Sequence, residues 1–252
     1  MTEKDFFDIL LAILFALAGI TFISLFFVSA PYGRYSRKGW GPQVNAKAAW
    51  VVQELPSVVL FAWFFFLGQN SYKVVPVLFL ILWQIHYVHR TFIYPFSIRG
   101  NKKATFATLI LAFIFTSLNS YINARWLSHF SSIYSLGWLV DPRFIAGVIL
   151  FVLGFAMNRH SDWILKNLRK PGENEYTIPQ GGMFKFVSAA NYLGEIIEWS
   201  GWALATWSLP GLCFAVFTFA NLAPRALSHH KWYKEKFPDY PKDRKALIPF
   251  VI

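Results

Sequence analysis

Seven long apolar runs follow one another along the chain, with short polar stretches between them. They lie at about 6–30, 50–68, 74–94, 104–126, 143–165, 183–207 and 210–228. A helix needs about 20 mostly apolar residues to cross a bilayer, so the second and seventh runs are near the lower limit. The pattern predicts an all-α polytopic membrane protein with seven transmembrane helices, forming one integral-membrane domain over residues 1–252. The first run begins with acidic residues and is too long for a signal peptide, so we expect it to stay attached.

The placement of charge supports this topology and explains the basic excess. Only 15% of residues are charged, against about 25% in a soluble domain, yet the formal net charge is +11. With the N-terminus outside and the C-terminus cytoplasmic, the cytoplasmic side receives all but four of the 24 basic residues, the exceptions being Lys4, Lys73, Arg125 and Arg143. The positive-inside rule expects this asymmetry. Nucleic-acid binding is therefore not predicted. The expected location is the bacterial inner membrane or the endoplasmic reticulum, depending on the source.

Polar and ionisable side chains interrupt four of the predicted spans, where such groups are costly and often functional. The second span carries Glu54 in AWVVQELPSVVLFAWFFFLG. The others carry sets at helical spacing: Tyr87, Arg90 and Tyr94; Asn158 and Asp162; Asn191, Glu195 and Glu198. Because residues three, four or seven apart share a helix face, these sets predict a cavity near the cytoplasmic side. Bonding between helices is the alternative for each set, and above all for Glu198, which lies one turn deeper.

The residue types alone do not decide which chemistry this cavity performs. HYVH supplies a single histidine pair, whereas a membrane di-iron site needs many more imidazole ligands, so no metal is predicted. The chain contains no GxGxxG, GxxxxGK[ST] or GxSxG motif, so a nucleotide would be held by helices and loops. Arginines suit phosphates; the candidates are Arg34, Arg90, Arg169 and Arg225. The polar tail, 228–252, keeps Trp232, Tyr233, Phe237 and Tyr240 among its charges and is expected to be ordered.

Several motifs resemble the steroid 5α-reductases. They are AWVVQELPS, HYVHRTFIYP, the stretch HSDWILKNLRKPGENEYTIPQGGMFKFVSAANYLGEIIEWSGWALATWSLP, and YPKDRKALIPF. The similarity runs from about Tyr32 onward and is closest in the last hundred residues. It implies a seven-helix membrane enzyme that uses NADPH to reduce the Δ4 double bond of a 3-oxosteroid. One departure is Asn101, which stands where the resemblance leads us to expect a basic residue.

The resemblance also implies roles for individual residues. Glu54 and Tyr87 would be catalytic and lie at the 3-oxo group of the steroid, in a pocket formed mainly by the N-terminal half. The cofactor would be bound mainly by residues 158–252, with this full set: Arg34, Arg90, Asn158, Asp162, Arg169, Tyr176, Asn191, Glu195, Arg225, His229 and Tyr233. Aromatic residues of the second span are candidate pocket walls, namely Trp50, Phe61 and Trp63.

The expected chemistry requires polarisation of the steroid carbonyl. Negative charge develops on O3 as hydride adds at C5, and a donor aimed at that oxygen stabilises the transition state. Tyr87 is the natural donor, since a phenol stays protonated at neutral pH. Glu54 either accepts a hydrogen bond from Tyr87 or, when protonated, donates to O3 itself, and the sequence does not choose between them. The substrate would enter from the bilayer, and no obligate protein partner is predicted.

Two other readings of the sequence remain. One is a membrane reductase of another α,β-unsaturated lipid, such as an enoyl thioester or a polyprenol-like compound, for which the same donors would serve. The other is a non-enzymatic transport or lipid-binding protein. Transporters often show inverted repeats and paired broken helices, and neither pattern is visible in this chain.

Overall fold

The computed structural model describes residues 1–28, 39–97, 103–168 and 176–252, and this part of the chain is mostly helical. Eight α-helices follow one another: α1 (Glu3–Phe27), α2 (Ala46–Phe66), α3 (Val74–Val88), α4 (Tyr94–Ser97), α5 (Phe106–Arg125), α6 (Pro142–Asn167), α7 (Ala190–Thr206) and α8 (Leu209–Lys236). Two strands, β1 (Gln43–Asn45) and β2 (Lys103–Thr105), pair antiparallel with Val44 opposite Ala104. A π turn over His89–Ile93 joins α3 to α4, and another over Trp126–Phe130 extends α5.

Five helices are long and apolar enough to cross a membrane: α1, α2, α5 with its π turn, α6 and α8. Large apolar side chains are exposed along their outer faces, as on α1 at Ile9, Ile20, Ile23 and Phe27. Such faces need lipid rather than water. The chain is therefore a multi-pass membrane protein. The remaining two predicted spans correspond to the run from α3 through α4 and to α7, which has 17 residues.

Two predicted helix boundaries are wrong, and the small strand pair departs from the all-α prediction. The sixth helix begins at Ala190 rather than 183, because Gly181 and Gly182 have positive φ and a 3₁₀ turn occupies Gly182–Lys185. The seventh continues to Lys236, eight residues beyond the apolar run. Its last turns remain helical because Tyr233 is buried against Tyr240, with their rings 5.3 Å apart.

Helix α6 and helix α7 approach each other backbone to backbone. A Cβ atom at Gly154 would lie 2.3 Å from the Glu198 nitrogen, and one at Gly194 would lie 2.5 Å from the Asn158 nitrogen. Only glycine permits such separations. The contact brings the polar residues of the two helices to the same level of the bundle.

The C-terminal tail packs on the segment that precedes α7. Lys245 N donates to Phe186 O at 2.9 Å, and Ser188 N donates to Lys245 O at 2.8 Å. Arg244 is buried and donates to Pro179 O at 3.1 Å. The prediction that the tail is ordered is confirmed.

Candidate active site

Arg90 is at the centre of a polar cluster formed by α2, the π turn, α6 and α7. Its guanidinium carbon lies 4.8 Å from the centre of the Trp50 ring and 4.5 Å from that of Tyr94. Its nitrogens lie 3.6 Å from Asp162 Oδ2 and 3.4 Å from Glu195 Oε2. The two rings contact each other, with centres 5.1 Å apart. The guanidinium therefore packs beside both rings and is faced by two carboxylates, an arrangement that suits its planar shape.

The π turn aligns Arg90 with Tyr94. Within it, Tyr94 N–H donates to His89 O, five residues back. Pro95 has no N–H and its ring crowds the preceding turn, which favours a wider turn here. The sequence predicted Arg90 and Tyr94 on one face of a regular helix. The two side chains do come together, but through a wider turn.

The amide and carboxyl groups of α6 and α7 interlock, as their spacing predicted. Asn158 Nδ2 donates to Asn191 O at 3.0 Å and to Glu195 Oε2 at 3.5 Å. Asn191 Nδ2 donates to Asp162 Oδ1 at 3.3 Å. Asp162 Oδ2, although buried, accepts no hydrogen bond within the described residues, and neither does Trp50 Nε1 find an acceptor there. Unpaired buried polar atoms of this kind are what a missing polar ligand would satisfy.

Glu54 lies one helical turn after Trp50 on α2 and is partly buried. Gln53 Nε2 donates to its Oε1 at 3.4 Å. Because Trp50 contacts Arg90 and lies one turn before Glu54, Glu54 is at the edge of the same cluster. It is also within electrostatic range of Tyr87. In the part of the chain that the structure describes, no hydrogen bond joins Glu54 to Tyr87 directly.

Tyr87 is held in the aromatic core of the bundle, with 5% of its surface exposed. Its ring centre lies 4.8 Å from that of Trp83 and 5.6 Å from that of Trp199. Trp83 is itself fixed to α2, because its Nε1 donates to Ser57 O at 2.8 Å. Tyr87 is therefore well ordered relative to the helix that carries Glu54.

A second group of candidates lies on α7 and α8. Arg225 donates to Asn221 Oδ1 at 2.8 Å and to Tyr192 OH at 2.7 Å. His229 Nε2 lies 3.1 Å from the same hydroxyl. Tyr192 and Asn221 were not predicted. Tyr192 directly follows Asn191, and Asn221 precedes Arg225 by four residues, so helical spacing was the available signal.

Of the remaining residues expected to bind the cofactor, two lie in the part of the chain that the structure describes, Tyr176 and Tyr233. The Tyr176 ring lies 5.1 Å from that of Trp232, which lies 5.2 Å from that of Tyr233. This aromatic group is near the end of α8, beyond His229. Arg34 and Arg169 lie outside the described residues, as does Asn101.

The three candidate wall residues do not share one pocket. Trp63 is 65% exposed on the outer face of α2, which argues against a place in an internal wall. Phe61 is fully buried and stacks on Trp83 at 4.3 Å, so it supports the core beneath Tyr87. Of the three, Trp50 alone lies beside the Arg90 cluster.

Comparison with known proteins identifies the family. The model of the 3-oxo-5-alpha-steroid 4-dehydrogenase family matches residues 102–252. The chain is 48% identical over 245 residues to 3-oxo-5-alpha-steroid 4-dehydrogenase 1 of Rattus norvegicus, covering 94% of this chain and 92% of the relative. It is 42% identical over 258 residues to steroid 5-alpha-reductase DET2 of Arabidopsis thaliana, covering 100% and 98%. The chain belongs to the 3-oxo-5-alpha-steroid 4-dehydrogenase family.

Proposed function

We propose that this protein reduces the Δ4 double bond of 3-oxosteroids to the 5α-reduced products, with NADPH as the reductant. Its relatives are named as 3-oxo-5-alpha-steroid 4-dehydrogenases and steroid 5-alpha-reductases, so it is an oxidoreductase that acts on a CH–CH bond. The observation that carries the proposal is the placement of Glu54 and Tyr87. These two proton-bearing side chains lie on neighbouring helices beside a polar cluster, inside an otherwise apolar bundle.

The described residues fit a dinucleotide at its neutral polar groups. Carboxylates and amides bind hydroxyl and carboxamide groups well, and the Arg90 cluster offers Asn158, Asp162, Asn191 and Glu195. Asp162 Oδ2 and Trp50 Nε1 are available for such bonds.

The phosphates of the dinucleotide are assigned to a different part of the protein. Two carboxylates already face Arg90, so a further anion is unfavourable there. We assign the phosphates to Arg225 and, outside the described residues, to Arg34 and Arg169, with His229, Tyr233 and Tyr176 completing the site. The 2′-phosphate of NADPH needs this extra positive charge.

When bound, NADPH would supply the hydride that adds at C5 of the steroid, and the resulting enolate would return to the ketone by taking up one proton at C4, drawn from solvent. Tyr87 donates its phenolic hydrogen to O3, where negative charge develops, and its burial keeps competing water away. Glu54 either accepts a hydrogen bond from Tyr87 and orients it, or donates to O3 when protonated. Trp50 lies one turn from Glu54 and closes the site beside Arg90.

The proposed topology has seven spans, with the N-terminus outside and the C-terminus cytoplasmic. Helix α7, at 17 residues, is about 25 Å long by its rise per residue and can cross a thin or locally thinned bilayer. The steroid would enter from the lipid and the cofactor from the cytoplasm. Reporter fusions at Lys73 and Lys242 should report opposite sides of the bacterial inner membrane or of the endoplasmic reticulum; the same side for both would contradict this topology.

The decisive experiment is product analysis with purified protein, NADPH and a Δ4-3-oxosteroid. Glu54→Gln and Tyr87→Phe should each lower kcat at least about 100-fold, the usual scale for such groups. Tyr72→Phe is the matched control, because Tyr72 is 85% exposed. Wild-type rates in both variants would refute the catalytic assignment. Reduction of an enoyl thioester or a polyprenol-like lipid instead of the steroid would favour the alternative substrate class.

A cofactor-side variant tests the other half of the site. Arg225→Ala should raise the KM for NADPH much more than the KM for steroid, because the guanidinium is assigned to phosphate. The control is Arg143→Ala, in the first turn of α6. It should change neither KM value. An effect of Arg225→Ala confined to the steroid KM would contradict the assignment.

A further inference from the structure

A buried ionisable pair connects α3 to α7 beside the proposed donor. His86 Nδ1 and Glu198 Oε1 lie 2.6 Å apart and are joined by a hydrogen bond. The side chains are 4% and 0% exposed. This confirms the expectation that Glu198 bonds between helices. Ionisable groups inside a membrane protein are costly, so the pair calls for an explanation beyond space filling.

His86, and the residue that follows Glu198, both contact the Tyr87 ring. The His86 ring stands edge-on to that of Tyr87, with centres 4.8 Å apart. Trp199, the residue after Glu198, contacts His86 at 4.7 Å and Tyr87 at 5.6 Å. Edge-to-face contacts at these distances favour particular ring orientations. Two of the rings that surround Tyr87 are therefore placed by the pair or by its immediate neighbour.

The backbone that carries the Glu198 side chain is held in place by its contact with α6. Helix α6 presses on it from behind, since a Cβ at Gly154 would lie 2.3 Å from Glu198 N. The second carboxyl oxygen, Oε2, finds no partner among the described residues, so His86 is its one hydrogen-bonding anchor there. The backbone of α7 therefore fixes where the Glu198 carboxyl lies. The carboxyl orients the His86 imidazole, which contacts the Tyr87 ring.

Holding the helices together does not by itself require this pair. Trp83 of α3 already packs on Trp199 and Trp202 of α7, at 5.4 and 5.2 Å. A buried ion pair is often replaceable by apolar side chains without loss of stability. What apolar side chains could not supply is a directional contact that sets the rotation of the imidazole.

We propose that His86 and Glu198 are positioning residues, which hold the Tyr87 ring in the orientation from which its phenol donates to the substrate carbonyl. This inference rests on the proposed function. Replacing Glu198 by methionine keeps the length of the side chain and removes the hydrogen bond. The expected result is a kcat about 10- to 100-fold lower, as for a misplacement of about 1 Å. The KM for NADPH should change less than about twofold. Glu198→Gln keeps a hydrogen-bonding group and should recover most of the rate.

A double-mutant cycle distinguishes positioning from a general loss of structure. If the pair acts through Tyr87, Glu198→Met should lower kcat in the wild-type background and cause no further loss in Tyr87→Phe. Tyr134→Phe is the matched control, because it removes another buried bond to α7, from Tyr134 OH in the segment before α6 to Thr206 O at 2.7 Å. It should lower thermal stability while leaving kcat unchanged.

Each outcome of the cycle decides the point. Equal losses from Glu198→Met in both backgrounds, or an effect on KM alone, would overturn the proposal. If Glu198→Met does not fold, Glu198→Asp withdraws the carboxyl by one methylene and is put through the same cycle. A Tyr87→Phe variant with wild-type kcat would instead refute the donor role in the proposed function, which is a separate result.

Discussion

Substituting Gly154 by alanine tests how closely the active site depends on the contact between α6 and α7. The new Cβ would lie 2.3 Å from Glu198 N and 2.6 Å from Gly194 O. Both atoms are backbone, so neither can rotate away. The helices must separate by at least about 1 Å to restore ordinary van der Waals distances.

The magnitude follows from the strain and from the bonds nearby. Overpacking of this kind costs about 1–3 kcal/mol. The bond from Asn158 Nδ2 to Asn191 O, 3.0 Å long and one turn away, would stretch toward its limit, which costs about 1 kcal/mol more. At about 2–4 °C per kcal/mol for a protein of this size, Gly154→Ala should lower the melting temperature by roughly 5–10 °C.

The assay is thermal unfolding of the purified protein in detergent, together with the KM for NADPH. Gly19→Ala is the matched control, because a Cβ at Gly19, also within a helix, has no neighbour within 4 Å. That variant should keep or slightly raise the melting temperature through better helix propensity. The KM for NADPH should rise in Gly154→Ala alone. Equal melting temperatures for the two variants would refute the reasoning.

Three further predictions concern other parts of the chain. Arg90→Lys keeps the charge but loses the planar group that contacts two rings, so kcat/KM should fall at least about tenfold; steady-state kinetics equal to wild type would contradict this. Ser188→Ala removes a hydroxyl that lies 2.6 Å from both His230 Nδ1 and Tyr240 OH; its melting temperature should fall by roughly 5 °C and recover in Ser188→Thr. Hydrogen bonds from the residue two positions later lower the pKa of Asp141 to about 2, so its carboxylate stabilises the protein above its usual pKa near 4. The difference in melting temperature between wild type and Asp141→Ala should therefore persist at neutral pH and shrink as the pH falls toward 2.

The sequence was most informative where a polar residue broke an apolar run. The spacing of Asn158 and Asp162, and of Asn191 and Glu195, predicted that each pair shares a face, and the structure brings the four side chains together. One feature of the site could not be predicted in this way. The π turn that carries Arg90 depends on a local change of helical pitch, which hydrophobic periodicity does not encode.

Aromatic residues were the least predictable part of the site. Trp50, Phe61 and Trp63 belong to the same apolar run, and composition made them equivalent candidates for a pocket wall. They lie in three different places: beside Arg90, in the closed core, and on the outer surface. Helical spacing separates faces but does not say which face meets lipid when every face is apolar. Tertiary contacts decide that question.

Unpaired polar atoms in the cluster around Arg90 are informative because the interior of a bilayer holds no water to form hydrogen bonds with them. In a soluble enzyme, water would satisfy Asp162 Oδ2 or Trp50 Nε1, but inside an apolar bundle each unpaired atom costs free energy. At many places the chain meets this demand itself, as where Thr116 donates to Gln53 O at 2.7 Å and Gln84 donates to Val58 O at 3.0 Å. Beside Arg90, Asp162 Oδ2 faces the guanidinium at 3.6 Å without a hydrogen bond, and Trp50 Nε1 has no acceptor among the described residues. Both atoms match the proposed cofactor, whose hydroxyl and carboxamide groups carry donors for the carboxylate and acceptors for the indole N–H.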